Sequence, residues 1–343
     1  SDFSFGIISL IVAFTIANQC MEKLGHPSYM INAGIASIGV FLMVAIPIGE
    51  DADSISALMN HVSASGIAVA MITGLFTSII FHLWAKLQFL KDSSIPDFVS
   101  SWINTVVPNL ISLGVIMIMV KLMEVNVYAA IISIFTPLIQ IGQTLPGLVL
   151  MCFTLAFSSW TFNAITTPIL MAGVQANLEQ IAAGQAATHI VSHTTFWSIS
   201  FITMGGVCAT LALNVLMCFS KSKQLKMLGK VFLVPSIFNI NEPLMYGAKV
   251  VFNPLLMIPA WINAIVGPVY VWVIMSLGLL NIPAQMMEIG QVPAPISSVL
   301  ATQDIRAVLW WIILFLIYGM IWYPFFKVYE KQKLKEETTA AVE

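Results

Sequence analysis

Apolar residues recur in this chain in long uninterrupted runs rather than with the alternation of an amphipathic surface helix. In the first half they occupy 3–21, 29–48, 65–87, 105–122 and, more briefly, 127–141. A membrane-crossing helix needs about 20 such residues, so the first four predict spans. The fifth either spans or lies in the interface. The second half is less regular. The run 145–170 holds Trp160, Asn163, Thr166, Thr167 and Pro168 and leads into Gln175, Asn177, Glu179 and Gln180, which are too polar to face lipid. Further spans are predicted at 195–219, 255–280 and 307–326, with 281–306 as an external loop. The pattern predicts an all-α polytopic membrane protein of about eight to nine spans.

One stretch departs from it. Residues 232–259 read FLVPSIFNINEPLMYGAKVVFNPLLMIP and set Asn239, Asn241, Glu242 and Asn253 among four prolines. Pro235 and Pro243 each remove a backbone donor and disfavour helix at the preceding residue, so no continuous spanning helix forms here. A carboxylate between apolar residues is costly at membrane depth and faces a partner, a wet cavity or a substrate. Two re-entrant elements are therefore expected, near 171–195 and 231–248, and paired breaks of this kind point to a solute site between discontinuous helices. Asn, Gln and Glu side chains suit the paired donors and acceptors of a sugar, with Trp160 or Tyr246 as an apolar face. The alternative reading of each Asn is that it only caps backbone freed by the prolines.

Composition supports the membrane reading. With 59% hydrophobic and 9% charged residues, a soluble domain's polar surface cannot be assembled. A net charge of -2 gives no sign of nucleic-acid binding. The cations instead mark sidedness. Lys23, Lys86 and Lys91 flank one set of connections and Glu50, Asp51 and Asp53 the other, while Lys221, Lys223, Lys226 and Lys230 form the strongest basic loop. Positive residues stay cytoplasmic, which puts Ser1 outside and residues 88–104, the 221–230 loop and the tail 328–343 inside. No signal peptide is expected at the start. Cys20, Cys152, Cys208 and Cys218 lack CxxC spacing and read as buried thiols. His189 and His193 stand four apart, as a metal pair on one helix face would, but no Glu or Cys completes a set, so no metal or other cofactor is expected. GxSxG and HExxH motifs are also missing from the sequence, which disfavours an intramembrane hydrolase.

SKSKQLKMLGKVFLVPSIFNINEPLMYG together with NPLLMIP closely resembles enzyme IIC, the membrane subunit of the lactose/cellobiose/chitobiose class of phosphoenolpyruvate-dependent sugar phosphotransferase systems. Residues 301–332 resemble that family's closing span, and residues 1–42 its second span and the next, so the likeness covers essentially the whole chain. It implies inward transport of a β-linked disaccharide such as cellobiose or diacetylchitobiose across the bacterial inner membrane. The sugar's 6-hydroxyl would be presented to a phosphorylated cytoplasmic IIB subunit, whose cysteine carries the phosphate. Glu242 matches the family's essential sugar-binding carboxylate, with Asn239, Asn241, Trp160, Asn163 and His193 as further sugar contacts. The resemblance also implies a homodimer, with 1–144 as scaffold and dimer-interface half and 145–327 as the sugar-binding half that moves against it.

Two departures accompany the resemblance. The family typically reads Trp-Phe-Phe-Gly-Ile-His-Gly before its first hairpin, whereas this chain has SSWTFNA, so Asn163 stands where a His is expected. An amide hydrogen-bonds a sugar but takes up no proton. A facilitator or sensor without phosphoryl transfer therefore remains the alternative. The family also carries an extra N-terminal segment with one more span.

Overall fold

The computed structural model describes residues 7–46, 55–87, 96–158, 163–251, 253–285, 287 and 292–340, which are mostly helical with no strand among them. The chain divides into two compact units, Ser1–Leu138 and Ile139–Glu343.

The first unit contains α1 (Ile8–Lys23), α2 (Met30–Ala45), α3 (Ile55–Val62), α4 (Ile67–Leu87), α5 (Asp97–Met117) and most of α6 (Val127–Gly142). Its polarity of packing suits lipid. Along α4, Leu75, Ile79, Leu83 and Leu87 recur every fourth residue and are exposed, while Ala70, Thr73, Thr77 and Ser78 are buried, with Phe81 the one large buried exception among these. Large apolar groups thus point outward and small ones pack inward, the arrangement by which helices approach closely where lipid offers no hydrophobic drive. A Cβ on Gly74 would meet Ile16 at 2.9 Å and the Ala13 carbonyl at 3.1 Å. The Ser37 hydroxyl donates to the same carbonyl at 2.9 Å.

The second unit holds α7 (Leu145–Ser158), α8 (Asn163–Ala182), α9 (Leu211–Cys218), α10 (Lys223–Ile237), α11 (Glu242–Gly247), α12 (Pro254–Ser276), α13 (Ile296–Thr302) and α14 (Ala307–Ala340). Five helices among the described residues are long and apolar enough to cross a membrane, or six if the pair Val127–Gly142 and Leu145–Ala156, bent by 94°, makes one span.

The run 195–219, expected as a span, is not one helix. It opens with a π-helical turn, Thr194–Ser198, passes through turns, and becomes helical again only at Leu211. Ser200, Gly205, Gly206, Cys208 and Ala209 all have positive φ, which ends any right-handed helix. Its Phe201, Ile202, Met204 and Leu213 are buried by protein, so its apolarity reflects a core. Within 281–306, expected as an external loop, Ile296–Thr302 is helical and buries Ser297 and Ser298. Ser298 donates to the Ile199 carbonyl at 2.6 Å.

Irregular backbone at such depth needs its carbonyls satisfied. One face of α14 supplies the donors. Trp311 Nε1 donates to Ser200 O at 3.1 Å, Tyr318 OH to Phe201 O at 3.0 Å, Trp322 Nε1 to Ala209 O at 3.1 Å and Tyr329 OH to Ala248 O at 2.8 Å. The spacing of seven, four and seven keeps all four on one side of the helix. The tail, expected as a separate polar end from 328, continues this helix to Ala340. Its carboxylates bind the basic loop through backbone. Glu330 accepts from Ser220 Oγ and Lys221 N, both at 2.7 Å, and Glu337 accepts from Ser222 Oγ at 2.6 Å and Gln224 N at 2.9 Å.

Ahead of α14, Asp304 is 7% exposed and is gripped by Arg306, whose Nη2 lies 2.8 Å from Oδ2 and whose Nε donates to Oδ1 at 3.0 Å. Burial pushes the Asp304 carboxyl up, but the Arg306 side chain, its guanidinium charge and the Arg306 and Asn281 N–H groups outweigh that and hold it below its ordinary 3.8. A depressed carboxyl contributes stability that is present above its unfolded value and lost as pH falls through its folded one. Asp304→Asn is therefore expected to destabilise the protein by about 2 kcal/mol at neutral pH. The gap in thermal midpoint between variant and parent should narrow progressively as the pH falls below the ordinary 3.8. An undiminished gap would show that Asp304 contributes by shape rather than charge.

Candidate functional site

The site is built where Pro235 and Pro243 interrupt the helical course. α10 ends at Ile237, Asn239 adopts φ 60°, and α11 restarts at Glu242 with Pro243 in its first turn, where a missing N–H costs nothing. Asn241 occupies the cap position of α11 without capping it. Its amide reaches away instead, donating to Val207 O at 2.7 Å and Thr210 Oγ1 at 2.9 Å. Asn239 accepts from the Gly205 N–H at 2.9 Å and donates to Ser200 Oγ at 2.6 Å. The two amides thus clamp the interruption onto the turns at 200–210. Gly206 makes the approach possible: its φ is 105°, and a Cβ there would lie 2.3 Å from Asn241 Cγ.

The clamp leaves Glu242 in the first turn of α11, exposed and with no hydrogen-bond or ion-pair partner among the described residues. Met245 and Tyr246, three and four positions on, share its side of the helix. They open onto a cleft of about 530 Å³ lined also by Lys249, Val251, Asn253 and Pro254. Tyr246 is 60% exposed, leaving its ring free to pack on a ligand. Asn253 caps α12, its side-chain oxygen accepting the Leu255 N–H at 3.1 Å, which leaves its NH₂ as a donor. One short segment therefore offers a charged acceptor, an aromatic face, an ammonium and an amide donor.

Of the sequence-predicted residues, Glu242, Asn239 and Asn241 lie on this segment, the two amides being engaged with protein. His193 is half-buried at the start of the π-helical turn Thr194–Ser198, in the broken segment whose Ser200 meets Asn239. Asn163 is the first residue of α8, its side chain outside the described part, and Trp160 lies outside the described residues. The separation of four between His189 and His193 does not put them on one helix face, because residues 185–191 are non-helical. Here the Asn177 amide holds the His189 backbone, accepting from its N–H and donating to its carbonyl, both at 2.9 Å. The aromatic donors of α14 and Lys249 were not singled out by sequence. Nor was Asn263, 1% exposed, whose two amide atoms have no hydrogen-bond partner among the described residues. A donor series at fixed helical spacing was the available signal for the aromatics.

Together these features define an all-helical membrane protein with a polar interruption set against buried, non-helical backbone. Residues 1–264 match the phosphotransferase system EIIC family, and the chain belongs to it. It is similar to the lichenan permease IIC component of Bacillus subtilis (strain 168), at 30% identity over 98% of this chain and 79% of that protein. It is also similar to a lactose-specific EIICB component of Staphylococcus haemolyticus (strain JCSC1435), at 28% identity over 98% of this chain and 60% of that longer protein. Among solved structures it matches the transporter ChbC, the IIC component from the N,N'-diacetylchitobiose-specific phosphotransferase system. That match has a TM-score of 0.82 and 26% identity over 98% of this chain and 83% of the other.

Proposed function

We propose that the chain carries a β-linked disaccharide, such as cellobiose or diacetylchitobiose, into the cell and presents its 6-hydroxyl to a phosphorylated IIB subunit. The observation that carries this reading is the exposed Glu242, without a partner among the described residues, in the first turn of the helix whose Met245 and Tyr246 line an open cleft, in a chain of the EIIC family. Names of relatives support the sugar class, since they specify lichenan and N,N'-diacetylchitobiose. A lactose-specific EIICB relative, longer than this chain, supports a IIB partner. In this reading Glu242 accepts hydroxyl hydrogens and Tyr246 packs against the ring. Asn239 and Asn241 hold the carboxylate's helix in place. The half from about Leu145 onward carries the sugar as one body within a homodimer, with the basic loop and the end of α14 on the cytoplasmic side. In the transfer, the hydroxyl hydrogen and the phosphoryl group exchange places between the sugar oxygen and the partner's cysteine sulfur.

Asn163 in place of a His favours a second reading, a facilitator or sensor that binds sugar without transfer. One experiment separates them. Purified protein is titrated with cellobiose, diacetylchitobiose and lactose, and phosphorylated cognate IIB is then added. Binding followed by disaccharide phosphate is expected. Binding with no phosphate formed would establish the second reading, and no binding of any of the three would overturn the disaccharide assignment.

A further inference from the structure

Lys249 sits in the cleft as an ammonium with nothing to bind. It is exposed, it lines the same open space as Tyr246 and Asn253, and it has no hydrogen-bond or ion-pair partner among the described residues. Its backbone is held in the left-handed region at φ 50°, a conformation a β-carbon makes unfavourable and that surrounding structure must enforce. The enforcement is visible next door. Ala248 is 2% exposed and its carbonyl accepts the Tyr329 hydroxyl at 2.8 Å.

That bond also fixes the level of Lys249 along α14. Tyr329 adjoins Glu330, which holds Ser220 and Lys221 of the basic loop and pairs with Lys327 at 2.8 Å. The cleft's cation therefore lies at the lysine-bearing end of the unit, the end that charge clustering assigns to the cytoplasm. A neutral disaccharide needs no ammonium. An anionic substituent on the sugar does, and a phosphoryl group offers three strong acceptor oxygens with nearly two negative charges.

Resting on the proposed function, we propose that Lys249 binds the phosphoryl group of the sugar as it is acquired from the cytoplasmic side. The cleft thus holds the anionic end of a disaccharide 6-phosphate while the Glu242 turn holds its hydroxyls.

The test uses the intact purified protein, titrated with cellobiose, cellobiose 6′-phosphate and the matching 6′-carboxylate sugar, with diacetylchitobiose and its 6′-phosphate in parallel. Lys249→Gln is expected to weaken the 6′-phosphate about tenfold more than the neutral sugar, the scale of one charge-assisted hydrogen bond. Lys249→Arg should restore most of that difference. With phosphorylated IIB, Lys249→Gln should lower kcat with little change in the KM for sugar. Equal losses for neutral and phosphorylated sugar, or none for either, would overturn the assignment. So would tighter Lys249-dependent binding of the carboxylate than of the phosphate. Failure of the carrier reading is distinguishable: if the parent binds no neutral disaccharide but binds the 6′-phosphate through Lys249, the transport proposal falls and this one stands.

Discussion

Glu242→Gln is expected to lower disaccharide affinity by a hundredfold or more while leaving the fold intact. The carboxylate is exposed and has nothing to accept from among the described residues, so a ligand's hydroxyls would meet it without competition from protein. Hydrogen bonds to a charged acceptor contribute about 1.5–3 kcal/mol each, and a carboxylate can take two hydroxyls at once. The amide keeps one oxygen, loses the charge and turns a donor toward the sugar, so a loss near 3 kcal/mol is expected, about two decades in Kd. An exposed side chain without partners contributes little to folding, and the thermal midpoint should stay close to the parent's. Calorimetric titration with cellobiose and diacetylchitobiose, paired with a melting curve, reads both. Affinity within about threefold of the parent would remove Glu242 from the site.

Gly206→Ala should have the largest effect on the architecture. The added Cβ would stand 2.3 Å from Asn241 Cγ and 2.5 Å from its Oδ1. That side chain cannot step aside, because its amide is committed to Val207 O and Thr210 Oγ1. Backbone strain at φ 105° adds on the order of 1–3 kcal/mol. A destabilisation of roughly 3 kcal/mol or more is expected, with sugar binding lost along with it because the Glu242 helix shifts off its clamp. Gly278→Ala is the control: φ is 68° there too, but nothing lies within 4 Å of the new Cβ, so only strain is felt. Similar melting points for the two variants would mean that the Asn241 contact is not what holds the interruption in place.

Much of this was legible from residue order. The run 65–87 became Ile67–Leu87 and 255–280 became Pro254–Ser276, because a long apolar run between caps has one economical conformation in lipid. The interruption at Asn239–Glu242 was legible for a different reason: proline acts on its own residue and the one before, so its effect can be read locally. The run 195–219 was misread because hydropathy does not distinguish a residue facing lipid from one facing protein. Phe201 and Met204 are as apolar as any span residue, yet they pack inside the second unit around backbone that is not helical. The spacing of His189 and His193 carried no information for a related reason, since a separation of four aligns side chains only once a helix exists between them.

The candidate site divides along the same line. That Glu242 is unusual follows from its neighbours in sequence, since a carboxylate among apolar residues is costly wherever they lie. That Asn239 and Asn241 serve the clamp, through Gly205, Ser200, Val207 and Thr210 over thirty residues away, follows only from contacts. The same holds for the four aromatic donors of α14, whose acceptors lie 81 to 117 residues back in the chain. By itself the amino-acid sequence determined a helical membrane protein and the place where its helical course breaks, because hydropathy and backbone restriction act over a few residues. Only tertiary structure decided which groups satisfy the broken backbone and which polar side chains stay free for a ligand, because each hydrogen-bonding atom is either taken by the protein or left over, and that is settled by what folds against it.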